Sequence, residues 1–144
     1  MVARITDAVT GEPLSLHFTQ LHPDGKRVKK YLSAHLKKGG VVRLFGHTGA
    51  LCVAEGIETA LAASYWEGPT WAALDAGNLA NLPLVPGVES LTVFPDNDPP
   101  GLNAARQCAA RWMSAEVPVQ LVRWHDGTPR GWDACDELGA RNGV

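Results

Sequence analysis

No lysine follows Lys38, no apolar run approaches the ~20 residues that span a bilayer, and cysteine occurs only three times. Each of these absences argues against a class of function. Cys52, Cys108 and Cys135 are odd in number and show no C-x-x-C spacing, which argues against both a disulfide framework and a zinc site. Cys52 and Cys108 read instead as small buried apolar residues. Without a membrane-length run or a basic-then-apolar leader pattern, the expected address is the cytoplasm, with no membrane partner. The missing late lysine argues against the phospho-accepting chemistry of a receiver domain, which wants one at a late strand end to hold the phosphoryl group. His17, His22, His35 and His47 are scattered and read as surface or packing residues rather than ligands.

What is present is a chain of 144 residues, 45% of them apolar, enough for one domain, or one domain with a small appendage. The net charge of -2 hides an asymmetry. Residues 1–50 carry eight lysines and arginines against three acids, whereas residues 51–144 carry five arginines against twelve acids. A basic front joined to an acidic body fits a protein that holds a polyanion on one side and metal ions on the other; a solvated charged hairpin is the plainer alternative.

The front is β-rich. Leu14, Leu16 and Phe18 alternate with polar residues, Pro23-Asp24-Gly25 signals a turn, and Val28, Lys30 and Leu32 interleave with Lys29 and Tyr31, which predicts a hairpin with a basic side. A third short run, V-V-R-L-F, follows Gly39-Gly40. After Gly49 the pattern changes to strands alternating with helices. Leu51–Ala54 is a strand ending at Glu55, and a helix beginning at Gly56 carries Ile57, Ala60, Leu61 and Ala63. Trp71–Leu74 is a second strand, followed by Asp75-Ala76-Gly77-Asn78 and a helical turn. The third strand opens S-L-T-V-F-P-D-N-D-P-P-G, Leu102–Met113 is helical, Val117–Val122 is a fourth strand and Trp132–Ala140 a last helix. Such alternation on short connections predicts an α/β fold with a parallel sheet flanked by helices, in which ligands sit beyond the C-terminal strand ends.

Glu55, Asp96 and Asp98 fall at those ends. An extended backbone would place the Asp96 and Asp98 carboxylates on one side, where they repel unless a divalent cation, most simply Mg²⁺, lies between them. An Asp-rich turn capping the next helix is the other reading. Asp75, Gly77 and Asn78 lie at a further strand end, where they would touch a nucleotide or simply form a turn.

V-A-E-G-I-E-T-A-L-A, followed some forty residues later by an apolar strand ending in D-N-D, resembles the Toprim domain of primases, topoisomerases and certain nucleases. W-A-A-L-D-A-G-N-L, D-N-D-P-P-G-L-N-A-A and the late G-W-D-A-C-D are similar to Toprim domains of primase and primase-helicase proteins of phages and plasmids. The resemblance covers about residues 49–140 and implies a Toprim domain over 49–144 behind a β-rich N-terminal subdomain over 1–48. It implies that Glu55 is the catalytic acid–base or a metal holder, that Asp96 and Asp98 bind Mg²⁺ with Mn²⁺ as a substitute, and that Asp133 reaches a second metal. Asp136 and Glu58 read as helix support and a solvated helix residue. Lys29, Lys30 and Asn78 are the expected substrate contacts.

The implied activity is primase-like: Mg²⁺-dependent nucleotidyl transfer making RNA primers on single-stranded DNA from nucleoside triphosphates, in the replication of a mobile element. The sequence contains neither a cysteine/histidine zinc module nor a G-K-[ST] phosphate loop, so template recognition and helicase action are expected of another domain or subunit. Tyr31 and Tyr65 lack the context of a topoisomerase nucleophile. A Toprim-type metal-dependent nuclease and a non-catalytic nucleic-acid-binding fragment are the alternatives.

Overall fold

A computed structural model describes residues 1–21, 27–31 and 38–143, with Leu21 and the 27–31 strand given by backbone alone. The element order is β1 (Val2–Asp7), β2 (Pro13–Leu21), β3 (Arg27–Tyr31), β4 (Gly40–Arg43), β5 (Ala50–Ala54), α1 (Ile57–Ala63), β6 (Thr70–Ala72), α2 (Ala76–Ala80), β7 (Ser90–Phe94), α3 (Pro99–Met113), β8 (Val119–Leu121) and α4 (Ala134–Asn142). One eight-stranded sheet, ordered β3-β2-β1-β4-β6-β5-β7-β8, runs through all of it. β5 pairs in parallel with β6 on one side and β7 on the other, and β7 in parallel with β8. The β-rich front joins this core antiparallel, through β4 against β6 and β1 against β4. The α/β class and the β-rich start read from the sequence are both present. The hairpin also forms, β2 pairing antiparallel with β3, while its Pro23-Asp24-Gly25 turn and Leu32 lie outside the described residues.

Alternation along the central strands makes two cores. Leu51, Val53, Leu91, Val93 and Trp71 face α2 and α3, where Leu79, Cys108 and Trp112 close the layer. Cys52, Ala54, Ala72 and Phe94 face the opposite way, onto Ile57 and Ala60 of α1 and Ala134 of α4. Period-two alternation in strands buried on both faces accounts for the near-continuous apolar runs. The large buried indoles keep their N–H groups satisfied: Trp71 Nε1 donates to the Phe45 carbonyl at 2.8 Å and Trp112 Nε1 to that of Leu82 at 3.3 Å.

Several boundaries differ from the sequence reading. β1 carries no strong alternation and is not among the expected strands; its pairing with β2 and β4 makes it one. α3 starts at Pro99, not Leu102, because Asp98 caps it and the two prolines occupy its first positions, where the missing N–H has no intrahelical partner to lose. α4 starts at Ala134 behind Asp133. β8 is shortened to Val119–Leu121.

Candidate metal centre

Because β5 has β6 on one side and β7 on the other, the crossover connections leave in opposite directions beyond its C-terminal end, which makes a crevice there. Glu55 follows β5, Leu74 follows β6 and Asp96 follows β7, so three successive strand ends reach the same place. The β5 and β6 ends are joined by backbone: Ala73 N–H donates to the Ala54 carbonyl at 2.8 Å and Leu74 N–H to that of Glu55 at 2.7 Å. α4 adds Asp133 and Asp136, and α1 adds Glu58, to a cavity of about 290 Å³ lined also by Thr59, Leu74 and Cys135. Five carboxylates line it and, among the described residues, no basic side chain does.

Asp133 is held by three donors. It caps α4, its Oδ1 accepting from Cys135 N–H at 2.6 Å and Asp136 N–H at 3.2 Å, while Asp136 Oδ2 accepts the Asp133 N–H at 3.0 Å. This reciprocal capping box gives Asp136 the supporting role expected of it. Across the fold, Thr59 Oγ1 donates to Asp133 Oδ2 at 2.8 Å.

The Asp96/Asp98 pair is not arranged as the extended-backbone reading expects. The chain folds back at Asn97, with Asp98 N–H donating to the Asp96 carbonyl at 2.8 Å. Asp98 Oδ1 accepts from Gly101 N–H at 2.8 Å as the N-cap of α3, and Asp98 is not among the residues lining the carboxylate cavity. The physical reason is the helix N-terminus: its unpaired N–H groups draw in the nearest short acidic side chain. Asn97 ties the same turn to a later loop, its Nδ2 donating to the Pro129 carbonyl at 2.9 Å and its N–H to that of Trp132 at 2.8 Å. That tether brings the segment before Asp133 beside Asp96.

Asn78 lies elsewhere, in a second cavity of about 620 Å³ shared with Lys38 and Asp75. Its Oδ1 accepts from Gly39 N–H at 3.2 Å and its Nδ2 donates to the Gly40 carbonyl at 3.4 Å, so it braces the entry to β4. The Lys29 and Lys30 side chains, with Lys26 and Lys37, lie outside what is described. Arg43, one of the front's basic residues, is structural. It stacks 4.4 Å from the Trp71 ring and donates to the Asp7 and Ala8 carbonyls at 2.9 and 3.1 Å.

The sequence reading missed Thr59 and Leu74. Thr59 is a threonine buried on an otherwise apolar helix face, a signal visible only once that face is known. Leu74 has φ +78, a left-handed conformation that non-glycine residues adopt at a cost of about 1–2 kcal/mol. Such strain clusters where function needs it.

An all-carboxylate donor set is the chemistry of a hard divalent cation such as Mg²⁺ or Mn²⁺. Among the described residues no three His, Cys, Asp or Glu side chains are grouped closely enough to hold a metal ion between them. Mg²⁺ is accommodated without such a cage, since it commonly uses one or two carboxylates, retained waters and substrate phosphates.

The whole fold is similar to solved primase structures. The primase fragment of the bacteriophage T7 primase-helicase protein aligns with a TM-score of 0.63 at 18% identity, over 99% of this chain and 58% of that one. The Aquifex aeolicus primase, comprising zinc-binding and RNA polymerase domains, gives 0.62 at 21%, over 99% and 37%. The DnaG catalytic core gives 0.62 at 18%, over 96% and 47%. The chain thus spans between about a third and three-fifths of these structures, and at such identities the likeness establishes the fold. Comparison with curated protein sequences finds no match. The family model for the Toprim domain matches residues 50–141, the stretch that builds the parallel core and its carboxylate cavity, and the chain belongs to the Toprim domain family.

Proposed function

We propose that this chain is the catalytic Toprim part of a primase-like protein. In this reading it performs Mg²⁺-dependent nucleotidyl transfer that makes RNA primers on single-stranded DNA for a mobile element. The observation that carries the reading is the convergence of Glu55, Asp96 and Asp133 from three separate elements on one cavity at the C-terminal ends of parallel strands. The likeness of the whole fold to primases supports it. Residues 1–48 serve as the β-rich approach and 49–144 as the catalytic unit.

Asp96 and Asp133 would hold the cation, and Asp98, which caps α3 outside the cavity lining, would add to it through the oxygen that the cap leaves over. A bound Mg²⁺ supplies charge neutralisation for the phosphates and polarises the reacting oxygens. Glu55, at the end of a buried strand, accepts the 3′-hydroxyl proton as the 3′-oxygen bonds to the α-phosphorus of the incoming nucleoside triphosphate and the bond to pyrophosphate, the leaving group, breaks. The five carboxylates of the cavity would repel an unaccompanied triphosphate. Lys29, Lys30 and Asn78 contact template or nucleotide, and a helicase or template-recognition domain acts as partner.

Three measurements test this. Glu55→Gln is expected to abolish primer synthesis with an unchanged melting temperature, because the amide keeps the shape and removes proton transfer; retained turnover removes Glu55 from the mechanism. Product analysis on labelled single-stranded DNA with nucleoside triphosphates separates chain extension from cleavage, and cleavage alone makes the protein a nuclease. Independently, Mg²⁺ is expected to raise the melting temperature of the wild type by linkage and that of Asp96→Asn much less. An equal response in both removes Asp96 from the metal centre.

A further inference from the structure

Thr59 carries no group suited to the proposed chemistry, yet it is 3% exposed and its hydroxyl reaches across 74 positions of sequence to Asp133. An ionised carboxylate has about four acceptor sites, two on each oxygen. Oδ1 of Asp133 takes two N–H groups of α4, and Oδ2 takes the Thr59 hydroxyl at 2.8 Å. By this count one acceptor site is left, and it is on Oδ2.

We infer that Thr59 is a positioning residue for the metal centre, orienting Asp133 so that Oδ2 is the oxygen offered to the cation. This rests on the metal-centre reading above. Capping alone pins one end of the carboxylate and leaves it free to tilt about that end; the Thr59 hydroxyl pins the other. Thr59 sits in the first turn of α1, four residues after Glu55, so the same bond ties the Glu55 strand end to the start of α4.

Gly56 supports this arrangement. A Cβ on Gly56 would stand 3.2 Å from Thr59 Oγ1, tighter than ordinary van der Waals contact. Its φ of -90 and ψ of 158 suit any residue, so glycine is needed here for space around the hydroxyl and not for backbone freedom. Without a side chain at 56, the Thr59 hydroxyl has room for the rotamer that meets Asp133.

The test measures Mn²⁺ binding directly, by electron paramagnetic resonance of free Mn²⁺ well below the melting temperature, on the full chain. Thr59→Val, which keeps the shape and deletes the donor, is expected to weaken Mn²⁺ about 10–100-fold, the range found when partners of metal ligands are removed. Thr59→Ser is expected to restore wild-type affinity. Gly56→Ala, which keeps the hydroxyl but crowds it, is expected to weaken binding by less than Thr59→Val, and it supplies the answer if the valine variant does not fold. Unchanged Mn²⁺ affinity in Thr59→Val, with or without a lower melting temperature in EDTA, overturns the inference and leaves the metal centre standing. A wild type whose Mn²⁺ binding is indifferent to Asp133→Asn overturns the metal-centre reading and the inference together.

Discussion

At the scale of single residues, the acidic side chains of this protein divide by what already holds them. Asp98 and Asp133 each give an oxygen to a helix N-terminus, so their charge is used structurally before any cation arrives. Asp7 shows the same economy far from the cavity. Its Oδ1 accepts from Thr10 and Val9 N–H groups at 2.8 and 2.9 Å, and these bonds, Thr10 first, hold its carboxyl below the ordinary carboxylate range. A carboxyl depressed in the folded state adds stability above its unfolded pKa of about 3.9, and that stability is lost as pH falls through the folded value. Asp7→Asn is therefore expected to flatten the acid limb of the stability curve, seen as urea midpoints that fall less steeply below about pH 4 than those of wild type. An identical acid limb would show that the turn bonds do not discriminate between charged and neutral Asp7.

At the scale of elements, α3 carries the least obvious constraint. Gly101 lies in its first turn, and in an ordinary helix interior Gly→Ala stabilises by about 1 kcal/mol. Here a Cβ would come within 2.7 Å of the Asp96 carbonyl oxygen and 3.1 Å of Asp98 Oδ1. Overpacking of this kind costs about 1–3 kcal/mol, and the obstructing atom is backbone, which cannot swing aside. The packing effect outweighs propensity, so Gly101→Ala is expected to lower the urea midpoint, and a raised midpoint would refute the close approach. The segment D-N-D-P-P-G is readable in this light. The aspartate caps, the prolines begin the helix, and the glycine lets the helix start against the strand end that bears Asp96.

At the scale of the molecule, charge separates along the chain. All the lysines and eight of the thirteen basic residues belong to residues 1–50, and the carboxylate cavity lies in the parallel core. If Lys29 and Lys30 bind phosphates, affinity for single-stranded DNA falls steeply with salt as counterions are released. Replacing both with Ala then makes that slope shallower by about 0.7 for each phosphate no longer neutralised. An unchanged slope would return these lysines to a solvated hairpin surface. No helix among the described residues is long and apolar enough to cross a membrane.

The sequence by itself determined the α/β class, the strands after Gly49 and the placing of Glu55 and Asp96 at strand ends. Those follow from local periodicity and from turn residues such as Gly68-Pro69 and Pro99-Pro100-Gly101. It also determined the Toprim resemblance, carried by E-G and D-N-D on successive strand–helix units. Only the tertiary structure decided which carboxylates meet. Asp133 and Asp136 line the same cavity as Glu55 because α4 packs beside α1 and Asn97 tethers the intervening loop, pairings with no local signature. Local geometry predicted Asp96 and Asp98 together; the helix N-terminus drew Asp98 into a cap. β1 became a strand, and Thr59 the partner of Asp133, through interactions between segments far apart in the chain, which spacing alone cannot encode.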